Sequence, residues 1–126
     1  MDIRFVIREE LLKIFNEEHN WEKSKTPEEI LEYINELHSE GYEESEYEDW
    51  EWINSFNRYE LEHVKIADLK ISALHPPLSI QYSKISTELP PIVVDSNTGF
   101  ILDGNHRAKA AEIRGDETII AYVGYN

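Results

Sequence analysis

Residues 90–124 read PPIVVDSNTGFILDGNHRAKAAEIRGDETIIAYVG, and this stretch decides the fold. The β-branched run Ile92–Val94, which follows a pair of prolines, predicts a short buried strand. The residues Asp95–Gly99 are typical of a tight turn, so the chain reverses there. Phe100–Leu102 then returns as a second strand, and the two strands form a predicted hairpin.

The second strand of this hairpin passes directly into a helix. Residues 103–107, Asp-Gly-Asn-His-Arg, make the junction, and strong helix formers continue the helix over residues 108–114. Gly115 ends it. A last strand is predicted at Thr118–Val123. The sequence therefore predicts a hairpin, a glycine turn, a helix and a closing strand in that order.

The junction between strand and helix has the chemistry of an anion site. The first backbone N–H groups of a helix lack internal partners and lie at the positive end of its dipole. Gly104 can adopt positive φ and leaves space where an anion approaches. His106 and Arg107 add side-chain donors, and arginine suits bidentate phosphate contact. The residues that this reasoning assigns to a phosphate site are Gly104, His106 and Arg107.

Asp103 leaves alternatives open at this junction. It can simply cap the helix, with Gly104 making the turn and Arg107 pairing with a nearby carboxylate. If a phosphate binds, a carboxylate beside it is repulsive. Three roles resolve this: a Mg²⁺ bridge, a general base toward a substrate hydroxyl, or a cap that faces away from the ligand. Asp103 is therefore the candidate catalytic residue and the candidate Mg²⁺ ligand.

The N-terminal half of the chain reads mainly as helices. Apolar residues recur at three- and four-residue steps over residues 3–15. A second helix begins at Thr26, which forms a capping box with Glu29. Its predicted buried stripe is Ile30, Ile34 and Leu37, with Leu31 and His38 alongside, and Gly41 ends it. Alternation over Tyr59–Leu69 predicts a strand, and residues 78–87 predict a short helix.

The charge of the 126-residue chain is unevenly distributed. Residues 1–62 carry a net charge of −13, whereas residues 63–126 carry −1. Such acidity disfavours direct binding of duplex DNA and favours a basic partner. The chain has no cysteine, no apolar run of membrane-spanning length and no apolar stretch after its charged start at Met1–Arg8. These absences predict a cytoplasmic protein without a membrane segment.

The stretch Tyr42–Trp52 interleaves acidic and aromatic residues. Its aromatic side chains either pack back onto the domain or form an exposed surface for a basic protein partner. Such a surface would also mimic nucleic acid. The residues predicted for this partner surface are Tyr47, Trp50 and Trp52.

The 90–124 stretch, with Gly104, His106 and Arg107 in register with its strands, resembles the core of the ParB/sulfiredoxin superfamily. Residues Val64–Leu69 are similar to the strand and Asp-Leu entry of ParB-like domains. The resemblance covers half of the chain. It implies an α/β (α+β) fold in a single domain, residues 1–126. Residues 63–126 would form a small mixed sheet of ParB/sulfiredoxin type, and residues 1–62 an acidic helical extension.

The resemblance also implies a nucleotide ligand. In this superfamily the glycine turn and helix start hold nucleotide phosphates, here at 104–107, and the expected ligand is ATP or CTP with Mg²⁺. Ser79, Ser83 and Lys84 would face the nucleotide from the preceding helix. Repair of cysteine sulfinic acids is excluded, because the essential cysteine of sulfiredoxins falls at Asn105. The serine-kinase-like branch keeps an acidic residue beside the turn, where Asp103 lies.

Two classes of function therefore compete. The first is a nucleotide-binding protein, acting as a Mg²⁺-dependent phosphotransferase or nucleoside-triphosphatase through residues 103–107. The second is a non-catalytic acidic protein that binds, and inhibits, a basic partner. Whether the chain is an enzyme stays open at the level of sequence.

Overall fold

The computed structural model describes residues 21–40, 50–72 and 89–126. The helices are α1 (Pro27–Ser39), α2 (Trp50–Asn54) and α3 (Asn105–Arg114). The strands are β1 (Ser24–Lys25), β2 (Arg58–Lys65), β3 (Ile92–Asp95), β4 (Ile101–Asp103) and β5 (Thr118–Tyr125). A 3₁₀ turn at Ile66–Asp68 follows β2.

These strands form one mixed sheet in the order β1-β2-β5-β3-β4. β5 pairs antiparallel with β2 and parallel with β3, which places Val93 opposite Tyr122. β4 returns antiparallel beside β3, as the hairpin prediction requires. The strand that comes last in the sequence is therefore the central strand of the sheet.

The side chains of β5 alternate between two apolar cores, because successive residues of a strand point to opposite faces. Ile120 and Tyr122 belong to the core that α1 and α2 cover. Ile119 and Ala121 belong to the opposite core, which α3 covers through Ala108. The described elements therefore form three layers, with the sheet between α1 and α2 on one side and α3 on the other.

The capping box that starts α1 is confirmed. The Thr26 N–H donates to Glu29 Oε1 at 2.9 Å, and the Glu29 N–H donates to Thr26 Oγ1 at 3.2 Å. The bond from the Thr26 backbone lowers the pKa of the Glu29 carboxyl. The predicted stripe of Ile30, Ile34 and Leu37 is buried, and α1 ends at Ser39.

The hairpin, the glycine-ended helix and the closing strand are confirmed, but several boundaries differ from the prediction. α3 already begins at Asn105, and β5 continues to Tyr125. The strand predicted at Tyr59–Leu69 ends at Lys65, because the 3₁₀ turn takes the chain out of the sheet. The helices predicted at 3–15 and 78–87 lie outside the described residues.

The predicted mixed α/β class is confirmed by these layers. In the three described ranges, no helix combines the length and apolar character that crossing a bilayer requires.

Candidate phosphate-binding site

The turn between β4 and α3 depends on Gly104. This residue has φ 104° and ψ 24°, a left-handed conformation that disfavours any residue with a Cβ. A Cβ built on Gly104 would lie 2.5 Å from Ile92 Cγ2. The space that the missing side chain leaves is therefore filled by β3. Gly104 allows close packing of the turn on the sheet, rather than the predicted approach of an anion.

Arg107 is fully buried, with 0% of its surface exposed. Its Nη2 donates to Asp103 Oδ2 at 2.9 Å, and its Nη1 donates to the carbonyl oxygens of Pro90 and Pro91 at 2.8 Å each. These contacts tie α3 to the end of β4 and to the chain just before β3. The predicted phosphate contact of Arg107 gains no support, because the guanidinium faces inward.

Tyr33 of α1 joins the same buried cluster from the other layer. Its hydroxyl donates to the Pro91 carbonyl at 2.5 Å. Burial raises the pKa of the Tyr33 hydroxyl above its usual value, and the nearby charge of Arg107 opposes this effect only in part. The hydroxyl therefore stays protonated and serves as a donor.

Asp103 is as buried as its partner, with 1% of its side chain exposed. One carboxylate oxygen accepts from Arg107, and the other, Oδ1, lies 3.8 Å from His38 Nε2. Mg²⁺ prefers several oxygen ligands and keeps water molecules. No group of three or more potential metal ligands occurs among the described residues. Burial and the bond to Arg107 hold the Asp103 carboxylate away from a substrate hydroxyl in solvent.

Among residues 103–107, Asn105 is the one that reaches the surface. It is partly exposed, and its Oδ1 accepts a hydrogen bond from the Ser72 N–H at 2.8 Å. This bond fixes which way the amide faces, so the NH₂ group points away from Ser72 as an oriented donor. The N-cap residue of α3 is Gly104, which has no side chain to cap the helix. His106, by contrast, is buried with 4% exposed.

The structure describes only some of the remaining predicted residues. Ser79, Ser83 and Lys84 lie outside the described residues, although Ser72 and Pro90, on either side of that segment, both contact the first turn of α3. Tyr47 and the Trp50 side chain also lie outside. Trp52 packs on the domain, where its Nε1 donates to Asp95 Oδ2 at 3.1 Å.

Sequence reasoning missed the contribution of His38 to the cluster. His38 follows the buried Ile34 by one helical turn, so its spacing indicates a position at the edge of the apolar face of α1. Its approach to Asp103 depends on tertiary packing of α1 against the end of β4, which the local sequence does not encode.

No family model matches the chain. The chain is similar to the "Transcriptional regulator NovG" of Streptomyces niveus, with 42% identity over 62 residues. That alignment covers 40% of this chain and 20% of the relative, so the chain spans about a fifth of the length of the curated protein it matches.

Proposed function

We propose that this chain is a nucleotide-binding module of ParB/sulfiredoxin type that binds phosphate without transferring it. The phosphate group lies at the start of α3, held by the backbone N–H groups of its first turn and by the Asn105 amide. The observation that carries this proposal is an oriented, partly exposed amide at the first residue of a helix whose N-cap is a glycine.

Two further observations support the proposal. The order of β3, β4, α3 and β5 is the order of elements that the superfamily resemblance implies. The partial similarity to a transcriptional regulator favours a regulatory use of the bound nucleotide.

Binding is favoured over phosphoryl transfer because of the contacts of Asp103 and Arg107. These two groups bond to each other inside the protein. In the proposed module, Asp103 and Arg107 stabilise the turn before α3, and the backbone N–H groups of the first turn of α3 contact the ligand. ATP and CTP are both retained as candidate ligands, with Mg²⁺ bound to the nucleotide phosphates rather than to Asp103.

The test is a calorimetric titration with ATP and CTP, each with and without Mg²⁺, of the wild type and Asn105→Asp. The aspartate keeps the acceptor for the Ser72 N–H and adds a negative charge at the phosphate. We expect wild-type binding and a loss of roughly tenfold or more in affinity for the variant, since it replaces a donor to a charged group.

Asn97→Asp, which makes the same charge change in the exposed β3–β4 turn, is the matched control and should bind as the wild type does. The absence of wild-type binding at millimolar nucleotide would remove the proposal.

A second candidate function is the acidic interaction protein. The outer face of α1 presents exposed carboxylates at four-residue spacing, Glu28, Glu32, Glu36 and Glu40, and no ion pair neutralises them within the described ranges. Like charges at this spacing destabilise a helix and are relieved by a basic partner. If calorimetry detects no binding of ATP or CTP, the acidic interaction protein becomes the better candidate.

A further inference from the structure

Lys25 has an environment that is unusual for a lysine on an edge strand. Its side chain is only 14% exposed, although lysines are rarely buried. The strand that carries it, β1, has two residues and is the terminal strand of the sheet. Its ion-pair partner, Glu22, lies 3.6 Å away and is 62% exposed. An exposed carboxylate compensates little for the lost hydration of the ammonium group.

Two aromatic rings provide further compensation for this ammonium group. Lys25 Nζ lies 5.9 Å from the centroid of the Tyr33 ring and 5.6 Å from that of the Tyr122 ring. The two ring centroids are 5.3 Å apart and the rings are inclined at 73°, so Tyr33 and Tyr122 form two walls of an aromatic corner. Such groups of rings bind ammonium ligands in proteins.

The backbone beside the aromatic corner receives β1 as an added strand. Residues 24 and 25 pair antiparallel with residues 60 and 59 of β2. The Leu61 N–H donates to the Lys23 carbonyl at 2.8 Å, and the Tyr122 hydroxyl donates to the Glu22 carbonyl at 2.7 Å. The receiving groups belong to β2 and β5. The surface that holds this short segment is therefore built by other elements of the fold.

The surroundings of the aromatic corner are acidic. The bonds with Thr26 are the main cause of the lowered pKa of the Glu29 carboxyl, and the charge of Lys25 lowers it further. Glu60 is half-buried on β2, and Glu28 is exposed in the first turn of α1. A segment that carries lysines therefore meets complementary charge at this surface.

We propose that the aromatic corner and the edge of β2 form a docking site for an extended, lysine-bearing segment of a basic protein partner. The partner segment pairs with β2 as an added strand and places a lysine between Tyr33 and Tyr122. Residues 23–25 occupy the site as an internal competitor. The capping box of Thr26 and Glu29 is local to α1, so release of β1 leaves the start of the helix intact. This site is separate from the proposed nucleotide site and does not depend on it.

The first experiment is an NMR titration with a capped peptide that copies residues 22–26, Glu-Lys-Ser-Lys-Thr. Binding is followed at the Leu61 amide and the Tyr122 ring. In wild type the tethered segment competes at a high effective concentration, so we expect binding only at millimolar peptide. In Lys25→Ala the aromatic corner holds no internal ammonium group, and we expect the peptide to bind about tenfold more tightly.

Two matched controls separate the aromatic corner from general charge effects. Lys109→Ala removes a lysine that pairs with Glu112 on the surface of α3, and it should bind the peptide as wild type does. A peptide with norleucine in place of its second lysine keeps the apolar stem without the charge. It should bind Lys25→Ala about tenfold more weakly than the lysine peptide. Equal binding of the two peptides would overturn the role of the aromatic corner.

Hydrogen exchange measures the release of β1 without a peptide. The Leu61 amide should exchange faster in Lys25→Ala than in wild type or in Lys25→Arg, which keeps a cation. The amides that join β5 to β3 should keep their protection in all three proteins.

The wild-type titration decides the matter if Lys25→Ala does not fold. Shifts at Leu61 and Tyr122 with the lysine peptide, and not with the norleucine peptide, support the docking site. If millimolar lysine peptide shifts neither signal in wild type, and a folded Lys25→Ala does not bind it, β1 is a structural strand only and the inference is overturned. Nucleotide titrations test the α3 site alone, so the failure of one proposal leaves the other standing.

Discussion

Arg107 is a charged side chain with the environment of a core residue. Its guanidinium has no exposed surface, and it contacts two separate parts of the chain: Asp103 and the adjacent residues Pro90 and Pro91. A buried charge is stable only when a charged partner and hydrogen bonds compensate for lost hydration. The Asp103–Arg107 pair therefore helps to fix the position of the first turn of α3 against the sheet.

Removing one member of this pair should be far more harmful than removing a surface ion pair. We expect Arg107→Met to lower the free energy of unfolding by about 3–5 kcal/mol, because it leaves the Asp103 carboxylate buried without its cation. Urea unfolding followed by circular dichroism measures the change.

Arg114→Met supplies the control, since it breaks the partly exposed pair with Asp116 and should cost less than about 1 kcal/mol. The double variant Asp103→Leu/Arg107→Met should recover part of the lost stability, because no unpaired charge stays buried. Equal losses for Arg107→Met and Arg114→Met would contradict a structural role for the buried pair.

The sequence predicts that Arg107 lies at the start of a helix, but it does not predict that the guanidinium faces the interior. The four-residue spacing from Asp103 to Arg107 is compatible with an internal ion pair, and the sequence interpretation includes that alternative. The acceptors that draw the guanidinium inward are the backbone carbonyls of Pro90 and Pro91, which lie 17 and 16 residues earlier in the chain. Such contacts depend on tertiary packing and have no local signal.

At the scale of elements, the ends of α3 contain two glycines with the same backbone conformation and different surroundings. Gly104 has φ 104° and meets Ile92, whereas Gly115 has φ 81° and has nothing within 4 Å of a built Cβ. The two positions separate the cost of the backbone conformation from the cost of a clash.

We expect Gly115→Ala to destabilise the protein by about 1–2 kcal/mol, through its left-handed conformation alone. Gly104→Ala should cost roughly 2–5 kcal/mol, because overpacking against Ile92 adds to the same conformational cost. Urea midpoints of the two variants measure both effects. Equal midpoints would show that the β4–α3 turn moves away from β3 at little cost.

The success of the sequence predictions also varies among elements. The start of α1 is predictable because its determinants, Thr26 and Glu29, contact each other within one turn. In β2 the apolar residues change faces along the strand: Tyr59 and Leu61 lie in the α1 core, and Val64 packs against the α3 core. Helices on opposite faces cover the two halves of the strand, so alternation alone does not predict where the strand ends.

At the scale of the molecule, buried tyrosines on the sheet and on α1 should make the free energy of unfolding fall at alkaline pH. Burial raises the pKa of Tyr33, Tyr59 and Tyr122 above the usual value. A raised pKa means that folding favours the protonated hydroxyl. This stabilisation is fully present below about pH 10, the value for an unfolded tyrosine, and is lost as pH rises through the higher folded values.

We therefore expect the urea midpoint to stay level up to about pH 9 and to fall above about pH 10. Ultraviolet absorbance should show that these hydroxyls ionise together with unfolding. Tyr33→Phe should make the fall with pH shallower, although it also removes the bond to the Pro91 carbonyl. Ionisation of every tyrosine near pH 10 in a fully folded protein would contradict this prediction.

The sequence predicts the mixed α/β class of the molecule, but it does not predict the order of the strands in the sheet. The 90–124 stretch indicates the hairpin, the helix and the closing strand because each depends on nearby residues. The position of β5 between β2 and β3 depends on pairing with Arg58–Lys65, at least 50 residues away, and on parallel pairing with Ile92–Asp95. Neither partner can be identified from the β-branched composition of β5.

The central position of β5 has a consequence for synthesis of the protein. Before residues 118–125 leave the ribosome, β1 can pair with β2 and β3 with β4. In the described part of the chain, a single bridge between Lys70 and Phe100 links the two pairs without β5. The nascent chain therefore carries two short ribbons with open edges until β5 pairs with both β2 and β3. We therefore expect the sheet to be completed only after β5 is translated, and the open edges of the two ribbons to be prone to aggregation until then.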